Sequence, residues 1–411
     1  RNFARLNGEW CESHGLRFTG HFNEHAWPRP TGTPSTMAAQ RWMQTPGLDL
    51  LGFQFKPGPL ADAALWIFTV KEAASIAAQC GRGEVLSESC GGAGYDYGPA
   101  RMKPLEDFLL ALGVNRLAPH LSHQTLAGAR KYDWPQTISD HSPWLDAYAV
   151  QALHTGRVAA ALSEGTSGAR TLVLNPTTTG WIHYRPEAYL PAGKAPADPL
   201  DALQRGYPAF LTALYGAQVD FDLGDECVLA ELGSADGTAL RVGERLYDTV
   251  VVPAGMENML ATTAGLLAKF LDAGGTVMCA GDAPRLLDGR PAECALAAHP
   301  NWLATGAGTV DAVRTKHPPL LSSPDGTPLP ADLLWAHRTT AEGAVVFLAN
   351  PTRGKLTAHV ACEGASVEER DTRTGETRGV AGVAIGGGKV SVAVELAPGE
   401  HVLWRVSRSA S

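Results

Sequence analysis

Glu88 ends an apolar run, Glu84-Val85-Leu86-Ser87-Glu88, and faces the glycine-rich stretch Cys90-Gly91-Gly92-Ala93-Gly94-Tyr95. A carboxylate placed at a strand end against such a loop can act as acid, base or nucleophile, or it can cap the loop through backbone N–H groups. Glu24 lies in His21-Phe22-Asn23-Glu24-His25-Ala26-Trp27, which mixes acid, imidazole and indole. Cleaving a glycosidic bond takes two carboxyl groups ~5 to ~9 Å apart. Glu24 and Glu88, two strands apart, can face each other across such a gap, and a hydroxyl contact or a salt bridge to Arg29 is the competing role for Glu24. No His-x-x-x-His or Glu-x-x-His pair supports zinc, so His21, His25, His120 and His123 are better suited to hydrogen-bonding sugar hydroxyls. Gln54 belongs to a strand-end loop. Trp27, Tyr95, Trp134 and Trp144 offer flat ring faces on which a sugar can stack, and each serves equally well as core.

Two motif-like stretches carry no chemistry. Gly91-Gly92-x-Gly94 departs from the dinucleotide fingerprint and lacks the acidic residue about 20 positions on. The serines of Leu162-Ser163-Glu164-Gly165-Thr166-Ser167-Gly168 do not stand in the G-x-S-x-G of a nucleophile elbow. Without a phosphate loop, a nicotinamide oxidoreductase built on residues 170–280 is set aside.

The elements that would position these residues alternate short apolar runs with longer amphipathic ones, the rhythm of β/α units around a parallel sheet. Strands are expected at 16–21, 48–53, 84–88 and 114–120, with helices at 34–45, 70–79, 103–112 and 144–162. His21, Gln54, Glu88 and His120 then fall at carboxyl ends of strands, where β/α barrels carry their chemistry. Four units cannot close a barrel that normally has eight, so residues 1–165 read as its C-terminal half, with the first half elsewhere or absent. Residues 166–285 read as a flavodoxin-like or glutamine-amidotransferase-like α/β layer: a strand at 170–175, a helix at 201–215, strands at 218–221 and 247–253, a helix at 259–273 and a strand at 276–280. From 286 to 411 helical periodicity disappears and short strands alternate with Gly, Pro and Thr-Gly turns, the pattern of an antiparallel β-sandwich.

Composition agrees with a multidomain chain rich in loops. The 411 residues suggest two to three domains. The 45 Gly, 28 Pro and 10 Trp suit turns and aromatic surfaces. A net charge of -8 without a Lys/Arg-rich run excludes a nucleic-acid surface. Seven singly scattered cysteines without a CxxC pair read as buried free thiols. No apolar run approaches the ~20 residues that cross a bilayer. The chain opens on Arg1, directly into a helix, so a natural N-terminus and any signal peptide are expected to precede it. A low charged content of 18% favours a periplasmic or secreted address over a cytoplasmic one.

Several short motifs then form a recognisable set: Trp10-Cys11 to His14-Gly15-Leu16, Thr19-Gly20-His21, Pro46-Gly47-Leu48-Asp49, Lys71-Glu72-Ala73-Ala74-Ser75, Leu86-Ser87-Glu88, Gly113-Val114-Asn115, His120 and Gly128-Ala129-Arg130-Lys131. They resemble glycoside hydrolase family 106, the α-L-rhamnosidases, and unassigned bacterial glycosidases related to it. Barrel followed by amidotransferase-like domain is also similar to family 42 β-galactosidases. The resemblance implies that Glu88 matches a catalytic glutamate and Glu24 an active-site acidic position, with calcium near the substrate. It also implies an oligosaccharide or polysaccharide substrate, and as partner the missing N-terminal barrel half or a second copy of the chain. A non-catalytic carbohydrate-binding protein is the alternative from another class.

Overall fold

The computed structural model describes residues 2–22, 26–132, 138–185 and 199–409. The first unit contains four parallel strands in sequential order: β1 (Thr19–Gly20), β2 (Thr45–Leu50), β3 (Leu86–Ser89) and β4 (Arg116–Pro119). Its helices are α1 (Ala4–Ser13), α2 (Thr36–Gln40), α3 (Ala64–Gln79), α4 (Pro99–Ala111) and α5 (Leu145–Leu162). Ser35 caps α2 by accepting a hydrogen bond from the Ala38 N–H, and Pro99 starts α4 where its missing N–H costs nothing. Helix α4 ends at Gly113, whose φ of +117° suits a residue without a Cβ.

The two faces of this sheet differ. Leu48, Leu50, Ser87 and Ser89 share one face by register and are buried. On the other face Leu86 and Glu88 are half-buried, while Arg116 and Ala118 are exposed. Parallel sheets are ordinarily covered on both faces; here one face of β3 and β4 is open among the described residues.

Helix α3 begins six residues before the expected 70 and packs on β2 on one side and on the second sheet on the other. Trp66, Ile67, Phe68, Val70, Ala73, Ile76 and Ala77 are its buried apolar residues. Its polar residues are also interior: Glu72 accepts from the Asn175 amide at 2.9 Å, Ser75 accepts from Leu223 N–H at 2.8 Å, and Gln79 donates to the Leu223 carbonyl at 2.8 Å.

The second sheet is parallel, with β5 (Thr171–Leu174), β6 (Phe221–Gly224), β7 (Thr249–Val252), β8 (Thr276–Cys279) and β9 (Trp302–Ala304) in the order β6-β5-β7-β8-β9. That is the 2-1-3-4-5 order of doubly wound sheets. Two antiparallel sheets follow. One joins Leu334–Thr339, Gly343–Ala349, His401–Ser407, Ser366–Arg370 and Thr377–Gly379, and the other Leu356–Glu363, Lys389–Leu396 and Ala384–Gly386. A single buried apolar cluster joins the helices α3 and α4, the second parallel sheet and the longer antiparallel strands.

One expectation is corrected. Helical structure does not end near 285, because Thr309–Lys316 is a helix and β9 joins the parallel sheet beside β8. This helix is eight residues long and buries only Thr309 and Val313, too little for a periodic signal. All seven cysteines are free; Cys90, Cys279 and Cys362 are buried and the other four are half-buried. No described helix is long and apolar enough to cross a membrane.

Candidate functional site

The carboxyl ends of β1 to β4 bring four side chains together. Glu88, on β3, has a side chain 34% exposed. Its two carboxylate oxygens lie 3.7 Å from His21 Nε2, just beyond β1, and 3.8 Å from His120 Nε2, just beyond β4. Both distances exceed a hydrogen bond. His120 reaches this position because its backbone N–H donates to the Ser89 carbonyl at 2.7 Å, continuing the ladder one residue past the strand. The fourth residue is Asp49, in register with Glu88 on the neighbouring strand and 8% exposed. Ligand atoms of His21, Asp49 and Glu88 all lie within 4.8 Å of one another.

The backbone around the carboxylate is tightly constrained. Cys90, buried directly after β3, has φ +68°, a left-handed conformation that non-glycine residues adopt at a cost of about 1–3 kcal/mol. A Cβ on Gly91 would stand 2.9 Å from the Leu51 Cδ2 methyl, which would have to shift, and 3.6 Å from the His120 Cβ, an ordinary contact.

The remaining expected site residues have different environments. Glu24, His25 and Trp134 lie outside the described residues. Gln54 and His123 are half-buried, and each has one buried polar atom, Gln54 Oε1 and His123 Nε2, without a hydrogen bond among the described residues. Neither hydrogen-bonds to Glu88, His21 or His120. Tyr95 is 36% exposed on the glycine-rich loop. Trp144 is half-buried and lies next to Gly98 at the start of α4.

Trp27 is corrected from a sugar platform to a core residue. It is 7% exposed, with its ring centroid 4.5 Å from Phe68 and 5.3 Å from Tyr207. Phe68 of α3 and Tyr207 of the helix Pro199–Gly216 pack against the indole, and little of it reaches solvent.

Asp49 is the residue that sequence reasoning missed. With the strand read as 48–53, it falls at the beginning; the strand actually ends at Leu50, so Asp49 is at the carboxyl end. An acidic residue between Leu48 and Leu50 in an apolar run was the available signal.

A second His/Asp group lies between α4, α5 and the five-stranded antiparallel sheet. His154 Nε2 is 2.7 Å from Asp107 Oδ1, and the Thr372 hydroxyl bridges His154 Nδ1 and His401 Nε2 at 2.9 and 2.8 Å. Lys103 pairs with the other Asp107 oxygen and donates to the Gly399 carbonyl. Burial alone would raise the Asp107 carboxyl; the Lys103 ammonium and the His154 hydrogen bond overcome it and hold it at about 2. These groups spend their polar atoms on each other, which makes the cluster a latch between helices and sheet.

No protein-family model matches the sequence, and no curated protein matches it. Solved structures do match in fold. The rhamnosidase from Novosphingobium sp. PP1Y superposes with a TM-score of 0.73 at 19% identity, covering 98% of this chain and 38% of its own. The GH42 exo-carrageenase from Bacteroides ovatus superposes at 0.62 and 12% identity, covering 99% of this chain and 56% of that one. A catalytic mutant of a GH42 beta-galactosidase from G. stearothermophilus gives 0.62 and 12%, with 95% and 64% covered. The chain thus spans well under half of that rhamnosidase. Its mixed α/β fold, with parallel and antiparallel sheets, is similar to these glycoside hydrolase structures.

Proposed function

We propose that this chain carries the Glu88 side of a glycosidase active site, in a protein that hydrolyses a terminal glycosidic bond of a glycoside or polysaccharide. An α-L-rhamnoside is the first substrate reading. The observation that carries it is a half-exposed carboxylate at the carboxyl end of a parallel strand, flanked at 3.7 and 3.8 Å by two imidazoles. The fold likeness to the Novosphingobium rhamnosidase supports the same reading. A β-galactoside is the second, favoured by the GH42 beta-galactosidase among the similar folds.

In this mechanism Glu88 attacks the anomeric carbon or takes the proton of a water that does so, while a second carboxylic acid protonates the leaving oxygen. Asp49 does not suit the second role. Its burial keeps it from a leaving oxygen; its nearest oxygen, within 4.8 Å of Glu88, is near the roughly 5–5.5 Å of a retaining pair and leaves no room for the water that an inverting pair holds across roughly 6.5–9.5 Å. Glu24, or an acid outside these 411 residues, would supply the proton. His21 and His120 would hydrogen-bond sugar hydroxyls.

The open face of β3 and β4, with Arg116 and Ala118 exposed, favours completion of the barrel by further strands. These would come from another part of the same polypeptide or from a second copy of the chain. Calcium takes six to eight oxygen ligands. Two carboxylates and an imidazole do not by themselves fit it, so no step is assigned to the ion.

The test is release of nitrophenol from a panel of aryl glycosides by the wild type and by Glu88→Gln. Turnover of one glycoside, lost in the variant, is expected. Near-normal turnover in the variant overturns the assignment of Glu88. Glycan binding by calorimetry without turnover would instead support a non-catalytic carbohydrate-binding protein.

A further inference from the structure

Five aromatic side chains are exposed among the described residues: Phe3, Trp10, Phe53, Tyr95 and Tyr132. Phe3 and Trp10 belong to α1 and its N-cap. The other three each follow a different strand of the first sheet, Phe53 after β2, Tyr95 after β3 and Tyr132 after β4. All three therefore stand on loops at the carboxyl edge, the end that carries Glu88. Beyond Tyr132 no described aromatic side chain is exposed. One exposed ring is ordinary, but rings gathered at one end of a sheet mark a binding surface.

Phe53 and Tyr95 stand on two turns that are held together. The Gln54 N–H donates to the Leu51 carbonyl at 3.0 Å, which puts Phe53, 50% exposed, at the third position of a turn. The Tyr97 N–H donates to the Gly94 carbonyl at 3.2 Å, which puts Tyr95 at the second position of another. Between them the Gly52 N–H donates to the Gly91 carbonyl at 3.0 Å. A Cβ on Gly52 would stand 2.6 Å from the Ala93 Cβ and 3.1 Å from both the Cys90 carbonyl oxygen and the buried Tyr97 ring, so the two turns are in close contact. Phe53 follows Asp49, the register neighbour of Glu88, by four residues. Four residues reach at most about 14 Å, the scale of a short oligosaccharide.

Taking Glu88 as the hydrolytic carboxylate, on which this rests, we propose that Phe53 and Tyr95 form the leaving-group subsite and select glycosides whose leaving group is itself a sugar ring. The terminal sugar occupies the strand ends, where Glu88 meets its anomeric carbon and His21 and His120 meet its hydroxyls. The turns stand outward of the strand ends, so the ring beyond the scissile oxygen lies on them. The apolar C–H face of a pyranose stacks on an aromatic ring and takes little else from it. Phe53 carries no polar side-chain atom, so it offers a face and no hydrogen bond. It selects for a ring on the leaving side rather than for particular hydroxyls.

The experiment is calorimetric titration of the full chain carrying Glu88→Gln, which binds without cleaving, with L-rhamnose against rutinose and with D-galactose against lactose. At least one disaccharide is expected to bind more tightly than its terminal monosaccharide. Adding Phe53→Ala should weaken that disaccharide about three- to tenfold, the scale of one aromatic contact, and leave the monosaccharide unchanged. Phe53→Trp should retain the binding. If Phe53→Ala does not fold, as judged by circular dichroism, Tyr95→Ala takes its place with the same expected loss. Unchanged disaccharide affinity in the variant, equal losses for disaccharide and monosaccharide, or no gain from the second ring would each overturn the proposal. The reading of Glu88 fails separately: a wild type that cleaves neither aryl glycosides nor disaccharides, with the disaccharide alone weakened by Phe53→Ala, keeps the aromatic subsite in a non-catalytic binding protein.

Discussion

Asp49 and Glu88 are direct register neighbours on adjacent parallel strands, one buried and one half-exposed, with carboxyl oxygens within 4.8 Å. Exposure divides their roles: the open carboxylate can meet a substrate, and the buried one can only act through it. Glu88→Gln is expected to lower kcat by about 10³-fold or more, as loss of an essential carboxylate does. Asp49→Asn should lower kcat by about 10- to 100-fold and leave KM nearly unchanged, the pattern of a positioning residue. Steady-state kinetics on the aryl glycoside that the wild type turns over distinguishes the two. Equal losses would place Asp49 among the reacting groups.

The latch between α5 and the antiparallel sheet gives a stability prediction. His154→Ala removes the 2.7 Å partner of Asp107 and leaves a 2% exposed carboxylate with Lys103 alone. Breaking a buried ion pair on one side costs about 3–5 kcal/mol, so urea unfolding should show a loss of about 3 kcal/mol. Adding a chelator should not move the wild-type midpoint, because the cluster's bonds are internal. A midpoint that falls with chelator would show that an ion holds the latch instead.

A buried histidine, His337, and a half-buried one, His401, predict how stability depends on pH. Burial, with the Lys103 charge adding to it, lowers His401 from 6.5 to about 3, and burial lowers His337 to about 4. The unfolded chain therefore binds more protons between these values and 6.5, so their contribution is complete above 6.5 and is lost as pH falls towards 3 and 4. Glu226, held at about 6 mainly by burial, has the opposite sign: its contribution is lost as pH rises from 4.5 through 6. A His401→Gln variant isolates one term. Between pH 7 and pH 5 it should lose about 2 kcal/mol less than the wild type, at about 1.4 kcal/mol per unit of pKa below 6.5. Parallel curves for the two proteins would refute the assignment.

Much of the fold is legible because parallel strands buried on both faces are continuous apolar runs. Val250, Val251 and Val252 are fully buried, as their pattern suggests. What periodicity does not reveal is which polar residues are inside. Lys71 and Glu72 resemble the solvated opening of a helix, yet α3 starts at Ala64 and lies between two sheets, so both are interior. Asp49 is hidden by a difference of three residues in a strand end, enough to move a carboxylate from the carboxyl edge of the sheet to its opposite edge. Glu88, His21 and His120 were legible because each directly follows or ends an apolar run, where a small boundary error changes nothing.

Trp27 tests the distinction between core and subsite. Its indole fills space between Phe68 and Tyr207, and deleting a buried aromatic costs about 3–5 kcal/mol, so Trp27→Ala should unfold at correspondingly lower urea. Trp27→Phe separates volume from polarity. The indole Nε1 is buried without a hydrogen-bond partner among the described residues, and an unpaired buried donor costs about 1–3 kcal/mol. Phenylalanine removes that penalty while leaving a smaller void than alanine does, so the two effects oppose each other and the net loss should stay within about 1.5 kcal/mol. KM for an aryl glycoside should be unchanged, because the indole is buried among aromatic side chains. A Trp27→Phe protein with native stability but KM raised about tenfold would return Trp27 to the binding surface.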